Sequence, residues 1–283
     1  MGYTNYNRFA WQSQMLIEHW NGSSWDSFFS PSPGGFSGLK AVSAASATDA
    51  WAVGLTNAGG TGTPLALHWD GRGWVSIPTP ALPRDSEPES VTDISPTNAW
   101  AVDFTTNADG TFTTLLEHWD GSQWLIVPSP SPATGFPDSE FTSVTVDSAT
   151  DAWAVGFYAD STGAHTIAEH LTGGQWTDTP PSLPGTEGML SSVAATSATD
   201  ALLVGVTDES GIDLPLAEHW DGNFRTASSI AATPASSFLG VAATSAGNAW
   251  AVGGTSIPVG AAGAEATVIQ RWDGSSWVPV PSF

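Results

Sequence analysis

The chain has 283 residues, 28 acidic against 6 basic side chains, a net charge of −22, 15 tryptophans and no cysteine. That charge repels phosphate backbones and anionic lipid surfaces, which argues against nucleic-acid and membrane-surface roles. No apolar run is long enough to span a bilayer, and without cysteine there is no disulfide framework and no reading of the redox compartment.

Met1 opens directly into Gly2-Tyr3-Thr4-Asn5, which matches Gly54-Leu55-Thr56-Asn57 and so falls inside a repeat. The expectation is that residues, an export signal among them, were trimmed upstream. Downstream, Asp-Ala-Trp-Ala-Val-Gly recurs about Trp51, Trp100, Trp153, Leu202 and Trp250, at spacings of 49, 53, 49 and 48. It alternates with His-Trp-Asp-Gly-x-x-Trp about Trp20, Trp69, Trp119, Leu171, Trp220 and Trp272, at spacings of 49, 50, 52, 49 and 52. Self-similarity of this period means one supersecondary unit stacked many times.

Each repeat divides into four predicted strands. The first is a small-residue, β-branched run such as Leu39 to Ala45 or Phe141 to Val146. A turn such as Ser46-Ala47-Thr48-Asp49 follows, held by its own hydroxyl and carboxylate groups. The second strand is Trp-Ala-Val-Gly. The third is Leu-x-Glu-His-Trp, as at Leu115 to Trp119, and an Asp-Gly turn leads to a fourth that begins at Trp74, Trp124, Trp176 or Trp277. Proline closes the fourth strand, which blunts an outer edge against stray pairing.

Antiparallel four-stranded units with this signature predict an all-β fold, a β-propeller of six blades in one domain, 1–283. The blades fall at about 2–30, 39–78, 90–128, 141–179, 189–230 and 238–283. The first lacks its first strand; the rival reading is a fragment of a longer array.

These motifs resemble the tryptophan-rich extracellular β-propeller repeats of actinobacteria, often labelled kelch-like. More distantly they resemble the photosystem II assembly-factor and Asp-box propellers. The resemblance covers about residues 14–283 and departs at Leu171, Leu202 and Arg225, where Trp is expected, and at Asp103, where Gly is expected. It implies a fold and an extracellular or cell-surface setting, and little about function.

Recurrence separates scaffold from site. Trp51, Trp69, Trp100, Trp119, Trp153, Trp220, Trp250 and Trp272 hold repeat slots and are expected to pack blade on blade. His68, His118 and His219, with His19 and His170, precede the third-strand Trp slot and are expected to hydrogen-bond a neighbouring turn; in the last repeat the slot holds Arg271. The glutamates at 18, 117, 169 and 218 are expected to pair within the sheet or face solvent. No nucleophile elbow, His-Glu-x-x-His or Walker loop occurs, so the chain reads as no enzyme.

In an antiparallel blade the second–third and fourth–first connections share one end, and here they vary in length and composition. A rigid scaffold with one variable loop end is how binding proteins are built. That end carries aromatic residues, of which Tyr6, Phe9, Trp11, Phe112 and Tyr158 are the candidate ligand contacts. It also carries much of the acidic excess; no cofactor is expected, and Asp103 with Asp109 is the candidate cation site should one bind, with calcium as the cation. The reading is a non-enzymatic secreted or surface-displayed binding propeller taking carbohydrate or a protein partner. The alternative is a structural or self-assembling surface protein joined through its incomplete first blade.

Overall fold

The computed structural model describes residues 2–7, 12–31, 34–57, 62–82, 85–130, 138–180, 187–228, 230, 235–255 and 266–281, with side chains from residue 15 onward. The chain forms two compact units, Met1–Ser129 and Pro130–Phe283. Every assigned element among the described residues is a strand.

The first unit opens with a three-stranded sheet of β1 (Gly2–Asn7), β2 (Gln12–Trp20) and β3 (Trp25–Phe28). A four-stranded sheet follows: β4 (Ser37–Ser46), β5 (Asp49–Thr56), β6 (Thr63–Trp69) and β7 (Trp74–Ile77). The next antiparallel meander is β8 (Ser90–Ser95), β9 (Asn98–Thr106), β10 (Phe112–Trp119) and β11 (Trp124–Val127). The second unit repeats the plan three times. Its sheets are β12 (Asp138–Ser148) to β15 (Gln175–Asp178) through β13 (Asp151–Asp160) and β14 (Gly163–Thr172); β16 (Gly188–Ser197) to β19 (Arg225–Ala227) through β17 (Asp200–Asp208) and β18 (Asp213–Trp220); and β20 (Ser236–Ser245) to β23 (Trp277–Pro279) through β21 (Asn248–Thr255) and β22 (Thr267–Trp272).

The second strand is a continuous small-apolar run, covered on both faces in β5, β9, β13 and β17, while β21 leaves Trp250 and Val252 exposed on one face. Trp51, Ala52 and Val53 are buried, as are Trp153, Ala154 and Val155. Within the first unit the Trp51 ring lies 4.9 Å from both Trp119 and Trp124 of the following sheet. Within the second, Trp153 lies 5.3 Å from Trp220. Tryptophan is therefore the blade-to-blade packing residue, with three exceptions. Trp20, Trp25 and Trp250 are 49%, 64% and 41% exposed, so the repeat slot alone does not bury an indole. Trp250 instead has the Arg271 guanidinium 6.0 Å from its ring centre.

The glycine ending Trp-Ala-Val-Gly has a steric cause. Opposite it the first strand carries a bulge, between Leu39 and Ala41, Phe141 and Ser143, Leu190 and Ser192, and Phe238 and Gly240. The bulge pushes a carbonyl at the glycine, so a Cβ on Gly156 would stand 1.9 Å from the Glu140 oxygen and 2.8 Å from Phe141 Cα. Gly156→Ala is expected to cost about 1–3 kcal/mol, the usual penalty of overpacking. Urea melts of the two proteins check this, and an unchanged midpoint would mean that the bulge yields freely.

Candidate functional site

The two ends of the sheets are built differently. At the first–second turn end, the recurrent polar side chains of the four-stranded sheets are used for bonding. His68 Nε2 lies 2.7 Å from Asp49 Oδ1, His118 3.0 Å from Asn98, His170 3.0 Å from Asp151 and His219 2.8 Å from Asp200. In the last sheet Arg271 Nε donates to Asn248 Oδ1 at 3.1 Å, so the departure from His keeps the bond. These histidines therefore tie the third strand to the first turn of their own sheet, not to a neighbouring one. The third-strand indoles donate to a carbonyl of the same turn: Trp69 to Ala47, Trp119 to Pro96, Trp220 to Ala198 and Trp272 to Ala246, at 2.9–3.2 Å. Below them Asp70, Asp120, Asp221 and Asp273 each accept two backbone N–H groups of the Asp-Gly turn. That end is scaffold.

At the opposite end the repeat breaks. Asp103 of β9 holds the glycine slot, and the first strand β8 shortens to 6 residues where β4, β16 and β20 have 10. Backbone bonds of residues 85–89 to β9 continue irregularly past the strand, and the carboxylate adds to them. It accepts the Ser86 hydroxyl at 2.5 Å and the Glu87 N–H at 2.7 Å, and is wholly buried. Leu115 pairs with Asp103 and Glu117 with Ala101, so the two carboxyl side chains point to one face of the sheet. Glu117 is 2% exposed, and its Oε1 has no partner among the described residues. Burial above all pushes Asp103 up to about 7, against its hydrogen bonds from Ser86, Glu87 and Phe104. Burial and then the neighbouring Asp103 push Glu117 up to about 8. Both carboxyls are buried in the sheet.

Their raised values have a testable sign. A carboxyl that holds its proton more tightly folded than unfolded contributes stability below its unfolded value, near 4. That stability is lost as pH rises through about 7 and 8. Between those limits each group lowers stability by up to about 1.4 kcal/mol per pH unit. Asp103→Asn with Glu117→Gln is therefore expected to flatten the fall in melting temperature between pH 5 and pH 8.5. Parallel slopes for variant and native protein would contradict the assignment.

Glu169 and Glu218 are buried too, and only Glu18 of the four recurrent glutamates faces solvent. Glu218 is met by Arg225, a residue that stands in a Trp slot, with Nε 3.0 Å from Oε2. Many loop acids are also committed. Asp85 accepts the Gly62 N–H, Asp109 that of Thr111, Asp208 that of Gly211, and Asp160 that of Thr162. Glu87 and Glu89 both engage Lys40.

Of the candidate ligand residues, Phe9 and Trp11 lie outside the described residues, and Tyr6 lies on β1, where only the backbone is described. Phe112 starts β10, 36% exposed, with Phe104 edge-on at 5.0 Å. In the second unit Tyr158 of β13 pairs with His165 of β14, ring centres 4.9 Å apart. His165 Nε2 is 3.2 Å from Asp160 Oδ1, and burial, then Asp160 and Asp178, raise the Tyr158 hydroxyl above its usual value. Asp103 sits inside the sheet and Asp109 at the tip of the β9–β10 turn. No cluster of three or more His, Asp or Glu fit for a metal is found among the described residues.

No family model and no curated protein matches the chain. Solved structures do. "YCF48 bound to D1 peptide" is 14% identical, with a TM-score of 0.54 over 95% of this chain and 76% of that one. An ulvan lyase of polysaccharide lyase family PL25 is 8% identical, with a TM-score of 0.54 over 92% and 69%. A fucose-specific lectin from Aleuria aurantia reaches 0.49 at 14% identity over 86% and 79%. At such identities the likeness speaks for architecture, and with the repeated antiparallel sheets it establishes an all-β β-propeller fold.

Proposed function

We propose that the chain is a non-enzymatic, secreted or surface-displayed binding propeller, six-bladed, of the tryptophan-rich repeat type, and that its ligand is a carbohydrate. The observation that carries this is the contrast between the two sheet ends. One end is spent on His–Asp, indole–carbonyl and Asp-Gly bonds, whereas the other presents Phe112 in the first unit and the Tyr158–His165 pair in the second. Sugars stack their apolar faces on such rings and hydrogen-bond to carboxylates beside them, as Asp160 is beside Tyr158. Similar structures include a polysaccharide lyase and a protein bound to a peptide, so a protein partner is the nearest alternative.

A glycan array run in calcium and again in EDTA tests the proposal. Saturable binding to a defined glycan is the expected result, and loss in EDTA would assign Asp109 and its neighbours to a calcium site. A blank in both conditions would overturn the carbohydrate reading.

A further inference from the structure

The turn between β2 and β3 departs from its counterparts in the other sheets. Where Asp70, Asp120, Asp221 and Asp273 open an Asp-Gly turn, the first sheet has Asn21-Gly22, the one Asn-Gly step of the sequence. The bonding of the turn is kept. Asn21 Oδ1 accepts the Ser23 N–H at 2.9 Å and the Ser24 N–H at 3.0 Å, as Asp70 Oδ1 accepts those of Arg72 and Gly73. The Ser23 hydroxyl is a third donor to the same oxygen, at 2.8 Å. At the other side of the amide, Nδ2 donates to Asp26 Oδ2 at 2.8 Å and to Ser24 Oγ at 3.0 Å. Asp26 is itself a departure, since the same register position holds Val75, Leu125, Thr177, Thr226 or Val278 in the other sheets. Asn21 and Asp26 are thus a matched pair, because a carboxylate at position 21 would set two like charges at hydrogen-bond distance.

Three donors therefore converge on one amide oxygen in an exposed turn. Together they draw electron density from Asn21 Cγ. They also stand ready to stabilise the negative charge that develops on Oδ1 when a nucleophile adds to that carbon, which is the arrangement of an oxyanion hole. The Gly22 nitrogen is the neighbouring main-chain nucleophile, held next to Cγ by the chain itself. Gly22 has no Cβ to obstruct the approach, and nothing stands within 4 Å of where one would be. No backbone acceptor takes its N–H among the described residues.

We propose that Asn21 is a site of spontaneous covalent modification promoted by its own turn, in which the side-chain amide is lost as ammonia. Hydroxide removes the Gly22 amide proton, and the nitrogen adds to Asn21 Cγ to close a ring. The Cγ–Nδ2 bond then breaks, water protonates the departing ammonia and hydroxide is regenerated, leaving a succinimide. Water adds to either ring carbonyl and opens it, giving an aspartyl or an isoaspartyl residue. No oxidant or reductant takes part. Either product replaces the Nδ2–Asp26 bond by two carboxylates facing one another, and the isoaspartyl form also lengthens the main chain by one carbon, which unties the turn. The modification singles out the first sheet, because Asp70, Asp120, Asp221 and Asp273 have no amide to lose.

The site lies away from the variable loop end, and a blank glycan array leaves it standing. The test incubates the full chain in mildly alkaline buffer and follows each asparagine by peptide mapping, with mass spectrometry that separates aspartyl from isoaspartyl products. Asn223 is the internal reference, exposed in the corresponding turn of β18 and β19 but followed by Phe224. Conversion at Asn21 is expected to run at least tenfold faster than at Asn223. Ser23→Ala, which removes one donor at an exposed position, is expected to slow it several-fold, and unfolding in urea to slow it as well. An Asn21 amide that survives as long as that of Asn223 overturns the proposal. So does a conversion that Ser23→Ala leaves unchanged or that urea accelerates, since the turn would then protect the amide.

Discussion

Arg225→Ala is expected to cost about 3–5 kcal/mol, because removing one partner of a buried ion pair leaves the other charge uncompensated. Arg225 is 6% exposed and Glu218 1%, with Nε 3.0 Å from the carboxylate. The guanidinium also reaches Thr166 Oγ1 at 3.4 Å. Burial pulls the Arg225 pKa down, while Glu218 and Asp178 act to hold it up. The neighbouring repeats supply a second arm. Trp124 and Trp176 hold the slot of Arg225 and coexist with buried Glu117 and Glu169. Arg225→Trp, which restores the repeat, is therefore expected to cost less than half as much as Arg225→Ala. Guanidinium melts of both variants decide it, and an Arg225→Ala loss below about 1 kcal/mol would show the pair to be dispensable.

Trp153→Ala is expected to cost a similar amount, about 3–5 kcal/mol, by removal of a large buried aromatic side chain. Trp153 has no exposed surface, stacks on His170 at 4.1 Å and 14°, and meets Trp220 at 5.3 Å. The same substitution at Trp250, identical in motif but 41% exposed, is expected to cost about 1 kcal/mol or less. The comparison separates packing from motif membership. Equal losses at the two positions would contradict the assignment of Trp153 as a blade-to-blade anchor.

The architecture was legible because each repeat carries the same punctuation and the same tryptophans. The strand order, the three-stranded first sheet and the Asp-Gly turns all follow from it. Side-chain partners were less legible. His68 and Asp49 are 19 residues apart, and only the register of two paired strands brings them to 2.7 Å. The glutamates show the limit of pattern reading: it left them to pair within the sheet or face solvent, and Glu117, Glu169 and Glu218 are buried while Glu18 is exposed. Asp103 and Arg225 were visible as departures from the repeat. What could not be read was that one would hold the irregular stretch before β8 through Ser86 and Glu87 and the other would meet a buried acid.

The account rests on a division of labour, with the repeat residues making the fold and the variable end making the contact. The most direct test is the glycan-array profile of a Phe112→Ala, Tyr158→Ala double variant beside the native chain. The account predicts that the native protein's glycan signals fall at least tenfold in the variant, while the melting temperature stays within a few degrees. Signals that persist at native strength in a folded variant would contradict it.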